Sequence, residues 1–221
     1  STLISAEVLV DLLKSEPPRT ASGAPIMVFD CTFDLMKPEL GQQQFDEAHI
    51  PGAVYVNLDK HLSSKNDLAA ASGGRHPLPS RETFAAWLSS IGFTNAHQAV
   101  VYDRNGVNYC GRLWWMLKWV GHEAVAVLDG GLQAWQAAGG GVETAAESAK
   151  HAPKLKKAPA LGINFSIADE LLALIAINTI ANNLNKPTQT LLDARGAPRF
   201  RGEVEPLDPV AGHIPGALNR P

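Results

Sequence analysis

The sequence is short of almost everything that marks a specialised environment. It has two cysteines, Cys31 and Cys110, in 221 residues. That is too few for a disulfide framework, so a reducing, cytoplasmic setting is the default expectation. No apolar run approaches the roughly 18 residues of a membrane span. The N-terminus has no basic stretch followed by an apolar one, so neither a membrane anchor nor a signal peptide is expected. Basic charge is not in excess: the net charge is −3, which leaves no electrostatic footprint for nucleic acid. No cluster of His and Cys has metal-ligand spacing, and no glycine loop has a phosphate-binding pattern. No metal and no organic cofactor is therefore expected. What is present, 45% hydrophobic and 19% charged residues, is ordinary for a globular chain with a real core.

The most informative stretch is His49-Ile50-Pro51-Gly52-Ala53, because it returns as His213-Ile214-Pro215-Gly216-Ala217. Its surroundings return as well. Asp30 and Asp193 each end an apolar strand upstream, and Phe45 and Phe200 lie between. A self-match of this kind sets the domain count before anything else, and here it indicates two copies of one domain. The first copy continues well past its turn, whereas the second has five residues after Gly216. If the copies are alike, roughly 85 residues of the second are absent from this chain, and the whole protein would have about 300.

Between these landmarks, strand and helix patterns alternate. Continuously apolar runs at 26–30, 53–56, 99–102 and 124–128 read as strands buried on both faces. Ser5 and Ser80 are positioned to cap helices, the second running over Arg81–Ser90 and stopped by Gly92. Further helical patterns cover Cys110–Val120, stopped by Gly121, and Leu132–Ala138. Ser166 reads as the cap of another helix with an acidic first turn. The alternation predicts a three-layer α/β/α domain with a mostly parallel central sheet, in two tandem copies with the second incomplete. The boundaries are 1–145 for the first domain, 146–160 for the linker and 161–221 for the start of the second.

Together these residues resemble the two-domain rhodaneses, the thiosulfate and 3-mercaptopyruvate sulfurtransferases. The carriers in the first copy are the His-Ile-Pro-Gly-Ala turn, Gly74-Arg75-His76-Pro77-Leu78-Pro79, Val100-Val101-Tyr102-Asp103, Arg112-Leu113-Trp114-Trp115-Met116 and Leu128-Asp129-Gly130-Gly131. In the second copy they are Leu192-Asp193-Ala194-Arg195, Arg199-Phe200 and Gly212 to Asn219. The resemblance implies transfer of a sulfane sulfur from a small anionic donor, through a cysteine persulfide, to a thiol or cyanide, with a thioredoxin-like protein as one candidate acceptor. It implies a monomer with an inactive first domain, and Asp103 indeed stands where an active copy has its nucleophilic cysteine. The corresponding loop of the second copy would begin beyond Pro221, so the chain by itself is expected to be inactive.

The resemblance also marks the other candidate site residues. Arg199 matches the family's arginine for the donor anion, a task suited to a planar guanidinium fork; the competing reading is a structural salt bridge to Glu203 or Glu205. For its neighbour Arg195 the two readings stand level. Asp59 and His76 match residues that the mercaptopyruvate branch contributes from its first domain, where a carboxylate and an imidazole could relay a proton or orient the donor. Loop packing is their competing reading, and Arg75 is a lesser candidate on the same rim. His49 and His213, being repeated, read as structural residues that fix the turn by a hydrogen bond. Cys110, at a helix start, reads as a small buried residue rather than a reactive thiol, and Cys31 as buried too. A non-catalytic binding or regulatory module is the alternative for the whole chain. A phosphatase on the same fold would need a longer loop opening with His-Cys.

Overall fold

The computed structural model describes residues 1–65, 67–151, 164–184 and 189–221. Their contacts divide into two units, Ser1–Ala173 and Leu174–Pro221. The first unit runs β1 (Leu3–Ile4), α1 (Ala6–Leu13), β2 (Ile26–Asp30), α2 (Leu40–Glu47), β3 (Val54–Tyr55), α3 (Arg81–Ser90), β4 (Gln98–Tyr102), α4 (Cys110–Trp119), β5 (Val125–Leu128), α5 (Gly131–Ala137) and α6 (Ala145–His151). The five strands form one sheet in the order β1-β5-β4-β2-β3, and every neighbouring pair is parallel.

The strands are mostly apolar because both faces of the sheet are covered, and successive side chains go to opposite faces. Phe29, Val101 and Val127 join a core with Phe84 and Leu88 of α3 and Leu113 and Leu117 of α4. Val28, Val100 and Leu128 join a second core with Leu9 of α1 and with Leu132 and Trp135 of α5. These are the three layers expected. The caps also fall where serine was placed: Val8 N–H donates to Ser5 Oγ and Thr83 N–H to Ser80 Oγ.

Several features depart from the sequence reading, α2 among them, since it lies in a polar, turn-rich stretch where no helix was expected. β1 was missed, since two residues carry no periodicity; it is recruited because Val127 and Asp129 N–H donate to Thr2 and Ile4 carbonyls. Residues 145–151 are helical where a linker was expected to begin; the remainder of that linker, 152–160, lies outside the described residues. Finally, no helix starts at Ser166. Segment 164–170 forms neither helix nor strand. Phe165 is 5% exposed in the first core, and Ala168 N–H donates to the Val120 carbonyl. Gly121 permits that approach: its φ is +85°, and a Cβ there would meet Ala168 at 2.7 Å. Burying one aromatic and pairing the backbone with the end of α4 outweighs a helix cap on an isolated segment.

The second unit contains α7 (Ile177–Asn183), β6 (Leu192–Asp193), α8 (Ala197–Phe200) and β7 (Leu218–Asn219), with β6 and β7 parallel. No helix among the described residues is long and apolar enough to cross a membrane.

Candidate functional site

The repeated turns are built alike. Ala53 N–H donates to the Ile50 carbonyl at 2.9 Å, and Ala217 N–H to Ile214 at 3.0 Å. Gly52 and Gly216 hold φ of +75° and +83°, as the third position of a type II turn with proline at the second requires. Each imidazole stacks on the upstream phenylalanine at 3.8 Å, and each Nδ1 lies 2.7 Å from that phenylalanine's carbonyl: His49 on Phe45, His213 on Phe200. His49 Nε2 also reaches Ser148 Oγ at 2.8 Å. Both histidines therefore lock a turn.

The loop at the end of β4 wraps around Asp103, the residue that the sequence reading set at the nucleophile's position. Asp103 is buried, and its carboxylate accepts four backbone N–H groups: Asn105 at 2.8 Å and Val107 at 3.0 Å on Oδ1, Tyr109 at 2.8 Å and Cys110 at 3.0 Å on Oδ2. Converging N–H groups at a helix start are the donors that would otherwise hold an anionic sulfur. Here the chain's own carboxylate fills them. The wrapping is tight enough to hold Val107 at φ +70°, a left-handed conformation unusual for a β-branched residue. Cys110, beneath this loop, is 1% exposed, and burial followed by the Asp103 charge pushes its thiol well above the ordinary range. Cys31 is buried too, and burial raises its thiol likewise. Burial thus favours the neutral form of both thiols.

Asp59 and His76 lie on the long loop between β3 and α3, and the structure brings them together. His76 Nε2 is 3.1 Å from Asp59 Oδ1, and Lys65 Nζ is 2.7 Å from the same oxygen. Asp59 takes its place from an Asx turn, in which its own N–H and that of Lys60 donate to Asn57 Oδ1. Burial holds the His76 imidazole below its ordinary range; the Asp59 charge works the other way without cancelling it.

In the second unit the two arginines share one carboxylate. Arg199 donates through Nε and Nη2 to both oxygens of Glu205, between 2.8 and 3.1 Å, and through Nη2 to Asp208 at 2.9 Å. Arg195 forks onto Asp193, reaches the Gly212 carbonyl at 2.6 Å and lies 3.5 Å from Glu205. Glu205 also accepts from Asp208 and Leu207 N–H. The Asp208 N–H, then Leu207 and Arg199, hold the Glu205 carboxyl down at about 2. The Arg195 side chain, then its N–H, does the same for Asp193, also at about 2. Glu205 was named in the sequence as a salt-bridge partner for Arg199, and that bridge forms. The closure of the pair by Asp208, nine positions away on an irregular loop, has no sequence signal.

Comparison with known proteins places these features in context. The sequence profile of the rhodanese-like domain matches residues 10–138. A Pseudomonas aeruginosa protein named a probable 3-mercaptopyruvate sulfurtransferase is 41% identical over 193 residues, covering 87% of this chain and 63% of that protein. A Mycobacterium tuberculosis protein provisionally named thiosulfate sulfurtransferase SseB is 38% identical over 219 residues, covering 99% of this chain and 70% of its own length. Among solved structures, SseA from Escherichia coli, described as having the rhodanese fold of 3-mercaptopyruvate sulfotransferases, matches with a TM-score of 0.73 at 28% identity. That match covers 99% of this chain and 74% of SseA.

Proposed function

This chain belongs to the rhodanese-like domain family, and from that premise we propose that it is part of a sulfurtransferase that uses 3-mercaptopyruvate in preference to thiosulfate. The chain spans 63% of the Pseudomonas relative, so the activity is proposed for the whole protein. In this reading the first domain is inert, with Asp103 in its sulfur cradle, and the nucleophilic cysteine belongs to residues outside these 221.

The observation that carries the donor preference is the contact of His76 with Asp59 at 3.1 Å. The two donors differ in what must leave. When a thiolate attacks the sulfane sulfur of thiosulfate, the S–S bond breaks and sulfite departs with the electron pair, stable without a proton. When it attacks the sulfur of 3-mercaptopyruvate, the C–S bond breaks and the pair goes to carbon. That enolate must collect a proton to become pyruvate. In both cases the enzyme sulfur becomes a persulfide, which a thiol or cyanide then removes. A half-buried imidazole oriented by a carboxylate is suited to supplying the proton, and Arg199, with Arg195, to holding the donor's carboxylate.

A second reading, a non-catalytic module, is favoured by two observations. Both cysteines are buried, and Arg199 is already paired with Glu205 and Asp208. Thiocyanate formation from cyanide, measured with each donor on the full protein and on this chain, separates the readings. The proposal expects turnover by the full protein that is higher with 3-mercaptopyruvate, falls at least about tenfold in Asp59→Asn and His76→Asn, and is absent from the 221-residue chain. No turnover by the full protein with either donor would leave the module reading standing.

A further inference from the structure

The described residues of the long loop that carries Asp59 and His76 form no helix or strand. Its shape is set from below. Arg112 lies in the first turn of α4, where a cation is at the unfavourable end of the helix dipole. Its guanidinium points into the loop instead. Nε and Nη2 donate to the Leu62 carbonyl at 3.2 and 2.8 Å, and Nη2 donates to the His76 carbonyl at 2.8 Å. One half-buried fork thus joins the two limbs of the loop. One limb follows Asp59 by three residues, and the other is His76 itself. Buried Leu62 and Leu78, and the Ser64 N–H donated to Pro77, flank this junction.

We infer that Arg112 is the positioning residue of the Asp59–His76 pair: it holds the two loop limbs in the register that brings the imidazole to the carboxylate. This rests on the function proposed above for that pair. The arrangement uses what arginine alone provides, a rigid fork that reaches two acceptors at fixed spacing, and a lysine at this position could not bridge both carbonyls in the same way. The charged groups facing His76 are Asp59, Lys65, Arg75 and Arg112. In Arg112→Lys the charge balance is therefore retained and only the geometry changes.

The test has two arms. In the 221-residue chain, the His76 ring is titrated by NMR in wild type, Arg112→Lys and Asp59→Asn. Asp59 raises the proton affinity of His76, so a loosened pair lowers its midpoint. Arg112→Lys is expected to move the midpoint in the same direction as Asp59→Asn. In the full protein, Arg112→Lys is expected to lower kcat with 3-mercaptopyruvate by at least about tenfold, to leave KM within about twofold, and to shift the pH profile of kcat. A Tm loss in Arg112→Lys with an unchanged His76 midpoint would show a merely structural arginine and overturn the inference. So would unchanged kcat in Arg112→Lys alongside impaired Asp59→Asn and His76→Asn. If Asp59→Asn and His76→Asn both retain full turnover, the proposed role of the pair fails, and the positioning by Arg112 is then decided by the His76 midpoint alone.

Discussion

At the scale of single residues, Asp103 has the most to lose. It satisfies four backbone donors at once, and removing it leaves them in a loop folded around nothing. Asp103→Ala is expected to cost about 3 kcal/mol, read from denaturant unfolding. Added formate should recover part of the loss in that variant and none in wild type. No formate effect would mean the cradle collapses without its carboxylate. Val107 offers the opposite experiment. Its left-handed φ suits glycine, so Val107→Gly is expected to stabilise by roughly 0.5–1 kcal/mol. The residue types at these positions were legible, an acid heading the β4 loop among them. The number of donors it gathers was not, because backbone N–H groups leave no mark in a sequence.

At the scale of elements, periodicity recovered the strands and helices that bury an apolar face, and failed where tertiary pairing decides. Strand β1 and segment 164–170 are the two cases. Both are held by hydrogen bonds to other elements, and neither pattern predicts its partner. Segment 164–170 is fastened by Phe165, which stacks near Phe93 at 5.9 Å and meets His122 edge-on at 5.9 Å. Asn95 exchanges hydrogen bonds with the Ser166 backbone. Phe165→Ala is expected to cost about 3 kcal/mol in chemical denaturation and to speed hydrogen exchange at Ala168 and Leu171, whose N–H groups pair with Val120 and Lys118 carbonyls. Undisturbed exchange at those two amides would mean that the aromatic anchor and the backbone pairing are independent.

At the scale of the whole molecule, buried His122 and three half-buried histidines set a pH limit. His61, His76, His97 and His122 are each held below the ordinary imidazole range, with burial the largest cause in every one. Each therefore binds its proton less readily folded than unfolded. Their contribution is fully present above about pH 6.5 and is lost as pH falls through the lower folded values. Thermal melts from pH 8 to 5 should show a falling Tm, with a shallower slope in His122→Phe. A slope unchanged by that substitution would exclude His122 as a contributor. The two units also carry a control within one chain. β2 and β3 pair in parallel, as β6 and β7 do, each pair closed by the same histidine lock and the same glycine-bearing turn. Setting one copy against the other works as a subtraction. What both contain is what the turn needs in order to fold. The second copy's surplus, Arg195 where the first has Thr32, together with the Arg199–Glu205–Asp208 cluster, is charge that the shared geometry does without. The subtraction also sets a limit on exchange: Thr32 is 0% exposed, so Thr32→Arg would bury an unpaired guanidinium, and the first unit keeps its lock by closing the very position that the second unit leaves open to a charge.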